Sequence, residues 1–313
     1  MRISNKRSRW NLLRRKKKAN ILESELPTQL LRDPFLLDYV KIEAYLAVVL
    51  GIRPSSLITI PAEFPNKDLY GKQIDALCRE DLRILKNAGV ADKPVLIQRL
   101  KEKIRKSFKQ VVIESKAYQT HVKWAKQLFL QSYQVEVRPS IHEFYLFKDS
   151  HVERKLRRLV EVRKIAKKTA LTDSPKVHAQ RLNLVYGEEH SYDFLNSMGE
   201  LLGYPSCCVQ SYIEDRLQKN ASVEIRASKQ IEELRNNGEK PDTFAFFARN
   251  FFPCTPKCQK ANAVGKSISA QLMDFSPKLA DLHLDCLKKN VATIENYPES
   301  ITRYKENLEK RAF

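Results

Sequence analysis

The sequence predicts an α+β protein that is mainly α-helical. Glycine is scarce, with 8 of 313 residues, whereas an average usage of about 7% would give roughly 22. Apolar residues recur at helical spacing through most of the chain. The exception is residues 134–148, where an alternating stretch is followed by an aromatic one. We therefore expect a small β-ribbon near 134–148, packed on helices because two strands alone are only marginally stable.

Four regions are expected along the chain. A basic arm at 1–30 precedes a helical domain at 31–132. A cysteine-containing α+β domain follows at 133–275, and C-terminal helices occupy 276–313. This division follows the shift from basic and helical composition to the mixed, cysteine-containing segment.

Within the helical domain, residues 35–52 predict a helix with a wide apolar face, and residues 53–70 predict a loop because they contain Pro54, Pro61 and Pro65. Residues 71–107 predict two helices that separate near Gly89. This segment resembles a sterile-alpha-motif or SAP-type helical module in the following residues: Glu80, Asp81, Leu82, Gly89, Val90, Leu96, Ile97, Gln98, Arg99, Leu100 and Ile104. The first resemblance implies contacts with a protein partner or RNA, and the second implies DNA. A plain helical hairpin is the alternative.

The charge balance favours a polyanionic partner. The chain has 56 Lys and Arg against 37 Asp and Glu, a formal net charge of +19, which suits nucleic acid, an acidic partner or an anionic membrane face. Neither GxGxxG nor GxxxxGKS/T occurs, which argues against a dinucleotide fingerprint and a P-loop. No Ser/His/Asp, HExxH or paired-carboxylate pattern stands out.

Two segments are candidates for binding RNA or DNA phosphates. The first 20 residues are basic and contain no acid, and Trp10 within them could stack on a base. The predicted helix at 151–170 has an apolar side and a Lys/Arg side, which suits phosphates rather than base edges. A solvated tail and a solvated helix face are the alternatives. The candidate residues are Arg7, Arg9, Trp10, Arg14, Arg15, Lys16, Lys17, Lys18, Arg154, Arg157, Arg158, Lys164 and Lys168.

The sequence also predicts a compartment. The longest apolar stretch, residues 44–52, is too short to span a bilayer, and no apolar region follows the basic N-terminus. We therefore expect no transmembrane segment and a cytoplasmic protein, in which cysteines stay reduced. An organelle is the alternative, if residues 1–20 are a targeting peptide.

Two cysteine-containing stretches are the strongest functional signal. The first is GYPSCCV at 203–209, where Ser206 is expected to cap a helix with Cys207 and Cys208 in its first turn. The second is FPCTPKC at 252–258, where Thr255 is expected to cap a helix with Pro256 as its first residue. Helix N-termini favour thiolates over thiols, because free N–H groups and the helix dipole stabilise negative charge.

Cys207, Cys208, Cys254 and Cys258 are therefore predicted metal ligands, for zinc or an iron–sulfur cluster. Adjacent residues on a helix point about 100° apart, so Cys207 and Cys208 are not expected to face one centre easily. Cys208, Cys254 and Cys258 could then form a three-thiolate site with an open position. Redox or disulfide chemistry and inert packing remain alternatives, since the spacing is not a pair of CxxC motifs.

Two polar residues lie upstream of the first cysteine stretch. His190 and Asp193 are candidates for a fourth ligand or a proton carrier. A capping role for Ser191 or Asp193 at the start of the helix that leads to Gly203 is the alternative.

The paired stretches GYPxCC and PCxxxC resemble an uncharacterised prokaryotic family, a domain of unknown function. The resemblance covers roughly residues 140–275 and implies that the four cysteines belong together, but it brings no activity. Two functions remain open. One is a nucleic-acid-associated protein with a four-cysteine zinc or iron–sulfur site. The other is an enzyme that uses a three-cysteine iron–sulfur cluster or a reactive thiol on a polyanionic substrate such as tRNA.

Overall fold

The computed structural model describes residues 25–172, 187–217 and 222–312. The predicted fold class is confirmed, because the described residues form twelve α-helices and one small antiparallel sheet of three strands. The basic residues proposed between Arg7 and Lys18 lie outside the described part of the chain. None of the described helices is both long enough and apolar enough to cross a membrane.

The chain divides into two compact units, which are described separately. The N-terminal unit contains residues 1–49 and 56–148, and the C-terminal unit contains residues 50–55 and 149–313. The helices of the N-terminal unit are α1 (Leu26–Arg32), α2 (Ala47–Val49), α3 (Lys67–Asn87), α4 (Lys93–Phe108) and α5 (Lys116–Gln127), with π-helical segments at Val40–Leu46 and Lys109–Ile113. Its strands are β1 (Ser55–Ile60), β2 (Gln131–Arg138) and β3 (Ile141–Phe147).

The sheet contains the predicted ribbon and one strand that was not predicted. Strands β2 and β3 pair antiparallel, with Tyr133 opposite Tyr145, and β1 lies on the other side of β3. The expectation of a loop throughout 53–70 is therefore wrong for β1. Its prolines, Pro54 and Pro61, flank the strand instead of interrupting it, so every ladder N–H of β1 is retained.

A polar network is enclosed in the core of the N-terminal unit. The hydroxyl of Tyr45 lies 2.9 Å from Nδ1 of the fully buried His121, and Phe64 stacks on the same imidazole at 5.0 Å between ring centroids. Burial lowers the pKa of His121 to about 3, so the ring is neutral at physiological pH. Nearby, Trp124 donates its indole N–H to Asp33 at 2.8 Å.

The segment 71–107 forms a helical hairpin. Helices α3 and α4 pack along each other, and Gly89 lies in the connection between them, as predicted. Cys78 is buried on α3, with its sulfur 3.8 Å from the hydroxyl of Ser107. This cysteine therefore belongs to the packing of the hairpin.

The C-terminal unit is helical in its described residues. Its helices are α6 (Ser150–Thr172), α7 (Tyr192–Leu202), α8 (Ser206–Leu217), α9 (Val223–Asn236), α10 (Gln259–Met273), α11 (Pro277–Glu295) and α12 (Tyr297–Ala312), with 3₁₀ turns at Gly187–His190 and Thr243–Phe246. The aromatic run before the second cysteine stretch is buried, because Phe246, Phe247, Phe251 and Phe252 form part of the core. This packing fixes the chain that leads into Cys254.

Candidate metal centre

The junction between α7 and α8 presents the first two cysteines. Ser191 caps α7, because its hydroxyl accepts a hydrogen bond from the amide of Phe194. The helix ends at Gly203, which has a left-handed backbone with φ of 70°. The amides of Gly203 and Tyr204 return to the carbonyls of Glu200 and Gly199 at 3.1 and 2.9 Å. This is the Schellman arrangement, in which glycine is favoured because it carries no Cβ.

The last carbonyls of α7 are held by Arg53 and Ser55, which belong to the 50–55 segment of the C-terminal unit. Arg53 donates to the carbonyl of Leu202 at 3.1 Å, and the Ser55 hydroxyl donates to the carbonyl of Leu201 at 2.5 Å. A cation at a helix C-terminus also complements the negative end of the helix dipole. The turn that delivers the chain to Cys207 is therefore fixed by specific hydrogen bonds.

Helix α8 begins at Ser206. The carbonyl of Pro205 accepts hydrogen bonds from the amides of Cys208 and Val209 at 2.9 and 3.0 Å, so Pro205 occupies the capping position expected for Ser206. The placement of Cys207 and Cys208 in the first helical turn is confirmed. Cys208 is buried and Cys207 is half-buried.

The second stretch differs from the predicted helix start. The amide of Cys258 donates to the carbonyl of Thr255 at 3.0 Å, which closes a turn with Pro256 at its second position. Helix α10 starts only at Gln259, and Cys258 is its N-cap residue. The expectation of Thr255 as cap is therefore wrong by about one turn, because Pro256 serves a turn instead of a helix. The Cys258 sulfur still lies at a helix N-terminus.

The four sulfurs converge. All four Sγ atoms lie within 4.8 Å of one another, although the two stretches are far apart in the sequence. The Sγ of Cys258 is 3.8 Å from that of Cys207 and 3.6 Å from that of Cys208, and the adjacent pair is separated by 3.9 Å. Cys207 therefore joins the other three, contrary to the expectation that neighbouring cysteines point apart.

These separations fit one ion. Sulfurs bound to a tetrahedral metal at about 2.3 Å lie roughly 3.8 Å apart, close to the three distances between the sulfurs of Cys207, Cys208 and Cys258. The donor set contains four soft ligands and no oxygen, a set that selects zinc or iron over magnesium or calcium. The four cysteines can hold a metal ion.

Burial and crowding shift the pKa values of three of the thiols, those of Cys208, Cys254 and Cys258. Burial raises the pKa of Cys208 far above its usual value, and burial together with the neighbouring Cys258 raises the pKa of Cys254 to about 11. Burial also acts against ionisation of Cys258, but the Ala261 amide and the surrounding thiols outweigh it, so the pKa of Cys258 is lowered. Cys258 is therefore more readily ionised than Cys208 or Cys254, whereas a bound cation would favour thiolates at all four positions.

The other predicted site residues lie upstream of the cysteines. His190 is the last residue of the 3₁₀ turn and is half-buried, and Asp193 is exposed in the first turn of α7. The metal-ligating group found in the described residues consists of the four sulfurs alone. A role for His190 or Asp193 as a ligand or proton carrier stays a prediction, whereas the capping role of Ser191 is confirmed.

Sequence analysis missed three polar residues beside the second cysteine stretch. Arg226 and Gln230 on α9 donate hydrogen bonds to the carbonyl of Cys254, and Asp215 on α8 pairs with Arg226. No motif marks these residues. Arg226 and Gln230 are four residues apart on one helix face, a spacing that many surface residues share.

Helix α6 has the predicted amphipathic character. Val152, Leu156 and Leu159 are buried, and most of the basic residues are exposed. Arg163 is the exception, because it is buried beside Glu188. Arg157 pairs with Glu153 and Lys164 pairs with Glu161. The predicted phosphate-binding residues exposed on this helix are Arg154, Arg157, Arg158 and Lys164. The side chain of Lys168 lies outside the described part of the chain.

Comparison with known proteins places the chain in a family. The family described as "Protein of unknown function (DUF483)" matches residues 124–284, about half of the chain, from α5 to α11. This chain belongs to that family. The predicted membership of an uncharacterised family is confirmed, and the DUF483 match contains all four clustered cysteines.

A relative of this DUF483 chain is found among curated proteins. An uncharacterized protein of Methanocaldococcus jannaschii, MJ1106, is 31% identical over 65 residues, which cover 20% of this chain and 34% of that protein. The chain thus spans about a third of the length of the relative it matches. No solved structure matches this chain.

Proposed function

We propose that this chain is a nucleic-acid-associated protein in which Cys207, Cys208, Cys254 and Cys258 hold a single structural zinc ion. The observation that carries the metal proposal is the mutual approach of four sulfurs within 4.8 Å. Ionising all four thiols at such close range is unfavourable unless a cation compensates their charge, because like charges repel. A shared ion supplies that compensation and ties the α7–α8 junction to the loop before α10.

Zinc is favoured over an iron–sulfur cluster by the spacing of the sulfurs. In a four-iron cluster each cysteine binds a different iron, so the sulfurs point away from the cluster and lie farther apart than around one ion. The distances of 3.6–3.9 Å between the sulfurs of Cys207, Cys208 and Cys258 suit one tetrahedral ion. Among single ions, zinc is the common partner of four cysteines in structural sites.

A structural role is favoured over an enzymatic role by the number of ligands. Four protein ligands fill a tetrahedral zinc ion, whereas catalytic zinc keeps one position for water or substrate. All four sulfurs belong to the compact group, so the three-thiolate site with an open position loses its support. The proposal includes a reducing compartment such as the cytoplasm, where thiols stay available to a metal.

The nucleic-acid part of the proposal is supported by charge. The net charge of +19 exceeds what solubility requires, and the exposed side of α6 carries Arg154, Arg157, Arg158 and Lys164. Phosphate contacts of this kind act without reading bases, so we expect RNA and DNA to compete for the same surface. Binding to generic RNA or DNA measured by fluorescence anisotropy should weaken steeply as salt is raised.

Metal analysis tests the zinc proposal. We expect about one zinc per chain in anaerobically purified wild-type protein. Cys208→Ser should lower zinc affinity by more than the 10–100-fold typical of residues that only support a ligand, because it removes a ligand. Cys286→Ser is the matched control, since Cys286 is equally buried in the C-terminal unit but lies outside the cluster, and it should retain full zinc.

Each alternative has its own signature in the same preparations. If the protein is brown and oxygen-sensitive and contains several irons per chain, the site holds an iron–sulfur cluster and the zinc proposal is wrong. Metal-free protein whose four thiols react freely, or form a disulfide under mild oxidation, would overturn the metal proposal and favour thiol chemistry. Chelation of a structural zinc should in addition lower the melting temperature of the wild type, because metal binding contributes to folding.

A further inference from the structure

A chain of hydrogen bonds reaches the cysteine cluster from α9. Arg226 donates from Nε to the carboxylate of Asp215 at 2.5 Å and from Nη1 to the carbonyls of Pro253 and Cys254 at 3.3 and 3.2 Å. Asp215 is buried on α8, the helix that carries Cys207 and Cys208. One guanidinium thus connects the helix of the first cysteine stretch to the backbone of the second.

The peptide group between Pro253 and Cys254 links this guanidinium to a sulfur. Its carbonyl accepts from Arg226, and its N–H donates to the Sγ of Cys208 at 3.4 Å. In a trans peptide the C=O and N–H point in opposite directions, so the group is held from both sides. Hydrogen bonds arranged in series polarise one another, and the Arg226 contact therefore strengthens the donor that faces Cys208.

Gln230 completes the arrangement. It lies one turn after Arg226 on the same face of α9, accepts from Nη1 at 2.7 Å and donates to the carbonyl of Cys254 at 3.3 Å. The Cys254 residue is therefore fixed at its preceding peptide and at its own carbonyl. Because Asp215 already compensates the charge of Arg226, the guanidinium acts mainly by orienting and polarising this backbone.

We propose that Arg226 is a positioning residue of the metal centre, which, held by Asp215 and Gln230, aims the Cys254 N–H at the Cys208 thiolate. The inference rests on the proposed metal-binding function of the four cysteines. Residues that orient metal ligands typically contribute 10–100-fold to metal affinity. A hydrogen bond to a thiolate also withdraws electron density from the sulfur, so Arg226 should alter the electronic spectrum of a bound metal as well as its affinity.

Cobalt(II) serves as the spectroscopic probe, with the full-length chain and competition against a chelator of known affinity. Arg226→Gln should weaken cobalt binding 10–100-fold and move the thiolate-to-cobalt charge-transfer band to longer wavelength, because the Cys208 sulfur becomes more electron-rich. Arg226→Lys retains the charge but not the fork of donors, and should show the same direction of change. Arg235→Gln is the control, since Arg235 lies exposed on the same helix and pairs with Glu295.

Circular dichroism of each variant establishes that it is folded. If Arg226→Gln fails to fold, Gln230→Ala provides the test, because it removes one donor to the Cys254 carbonyl and leaves Arg226 in place. A folded variant of Arg226 or Gln230 that keeps wild-type affinity and band position would overturn the inference while the metal site stands. Wild-type protein that binds neither cobalt nor zinc would overturn the proposed function as well.

Discussion

His283 on α11 is a titratable residue enclosed in the C-terminal unit. It is fully buried, and neither ring nitrogen has a hydrogen-bond partner among the described residues. Burial lowers its pKa from 6.5 to about 4, because the charged imidazolium would lose its hydration without gaining a partner. The ring therefore packs as a neutral group at physiological pH.

This burial predicts a pH dependence of stability. Since the folded pKa lies below the unfolded value of about 6.5, the unfolded chain binds the extra proton as pH falls. The contribution is complete above pH 6.5 and is lost between 6.5 and about 4, with a slope of up to about 1.4 kcal/mol per pH unit. Urea unfolding from pH 8 to pH 4 measures this loss.

The variant His283→Leu removes both unpaired nitrogens and the titration. We expect its stability to be similar to or above wild type at pH 8, and its loss on acidification to be smaller by up to about 3 kcal/mol. His151→Leu is the control, since His151 is exposed on α6 and should behave as wild type. Equal acid sensitivity of His283→Leu and wild type would contradict this assignment.

The cysteines of the site could be predicted from the sequence, but their supporting residues could not. A cysteine next to a proline or serine at a helix start is a pattern of neighbouring residues, and such a pattern can be recognised from the sequence alone. The contacts of Arg226 with Pro253 and Cys254 depend on the packing of α9 against the loop before α10. Cys207 also joins the cluster, which a helix-angle argument alone did not predict.

At the scale of elements, the turn between α7 and α8 decides where Cys207 and Cys208 lie. Gly203 adopts φ of +70°, and a Cβ added there would lie 2.6 Å from Cδ of Pro54. A side chain is disfavoured at this position for two reasons. The left-handed backbone is strained for residues other than glycine, and an added Cβ would clash with the ring of Pro54. Glycine is therefore required in GYPSCC for steric as well as conformational reasons.

Gly203→Ala should destabilise the protein by about 2–4 kcal/mol, combining left-handed strain with the displacement of a packed ring. Gly238→Ala is the matched control, because Gly238 has φ of +76° but no atom near its Cβ direction. It should cost only about 1–2 kcal/mol. Urea unfolding of both variants isolates the contact with Pro54, and equal destabilisation would show that this contact contributes nothing.

Helices and strands were predicted correctly where their hydrophobic pattern is long, and the prediction failed where the element is short. The amphipathic pattern of α6 runs over several turns, so most of its buried and exposed positions were predicted, although the basic Arg163 is buried and the apolar Ile165 is exposed. Strand β1 is only six residues long and lies between two prolines, so proline content alone indicated a loop. The start of α10 was misplaced because Pro256 suits a turn as well as a first helical residue.

At the scale of the whole molecule, the fold does not account for the excess of positive charge. Packing of the cores requires apolar residues and does not require a net charge of +19. On α6, Arg154 and Arg158 are one turn apart and have no ion pair with any residue that the structure describes. Arg157 and Lys164 already form ion pairs with acidic residues of the same helix, so Arg154 and Arg158 are the better candidates for the proposed phosphate contacts.

Replacing both Arg154 and Arg158 with Glu should therefore weaken binding to generic RNA and DNA. Each lost phosphate contact lowers the slope of log affinity against log salt by about one, so the double variant should differ from wild type by about two. The control carries the same charge change elsewhere in the C-terminal unit, with Lys288→Glu and Arg303→Glu on exposed positions of α11 and α12. A uniform effect of net charge would weaken both double variants equally, and binding that is indifferent to salt would remove the nucleic-acid proposal. Loss confined to the α6 variant would assign the phosphate contacts to this helix, because the two proteins carry the same change in net charge.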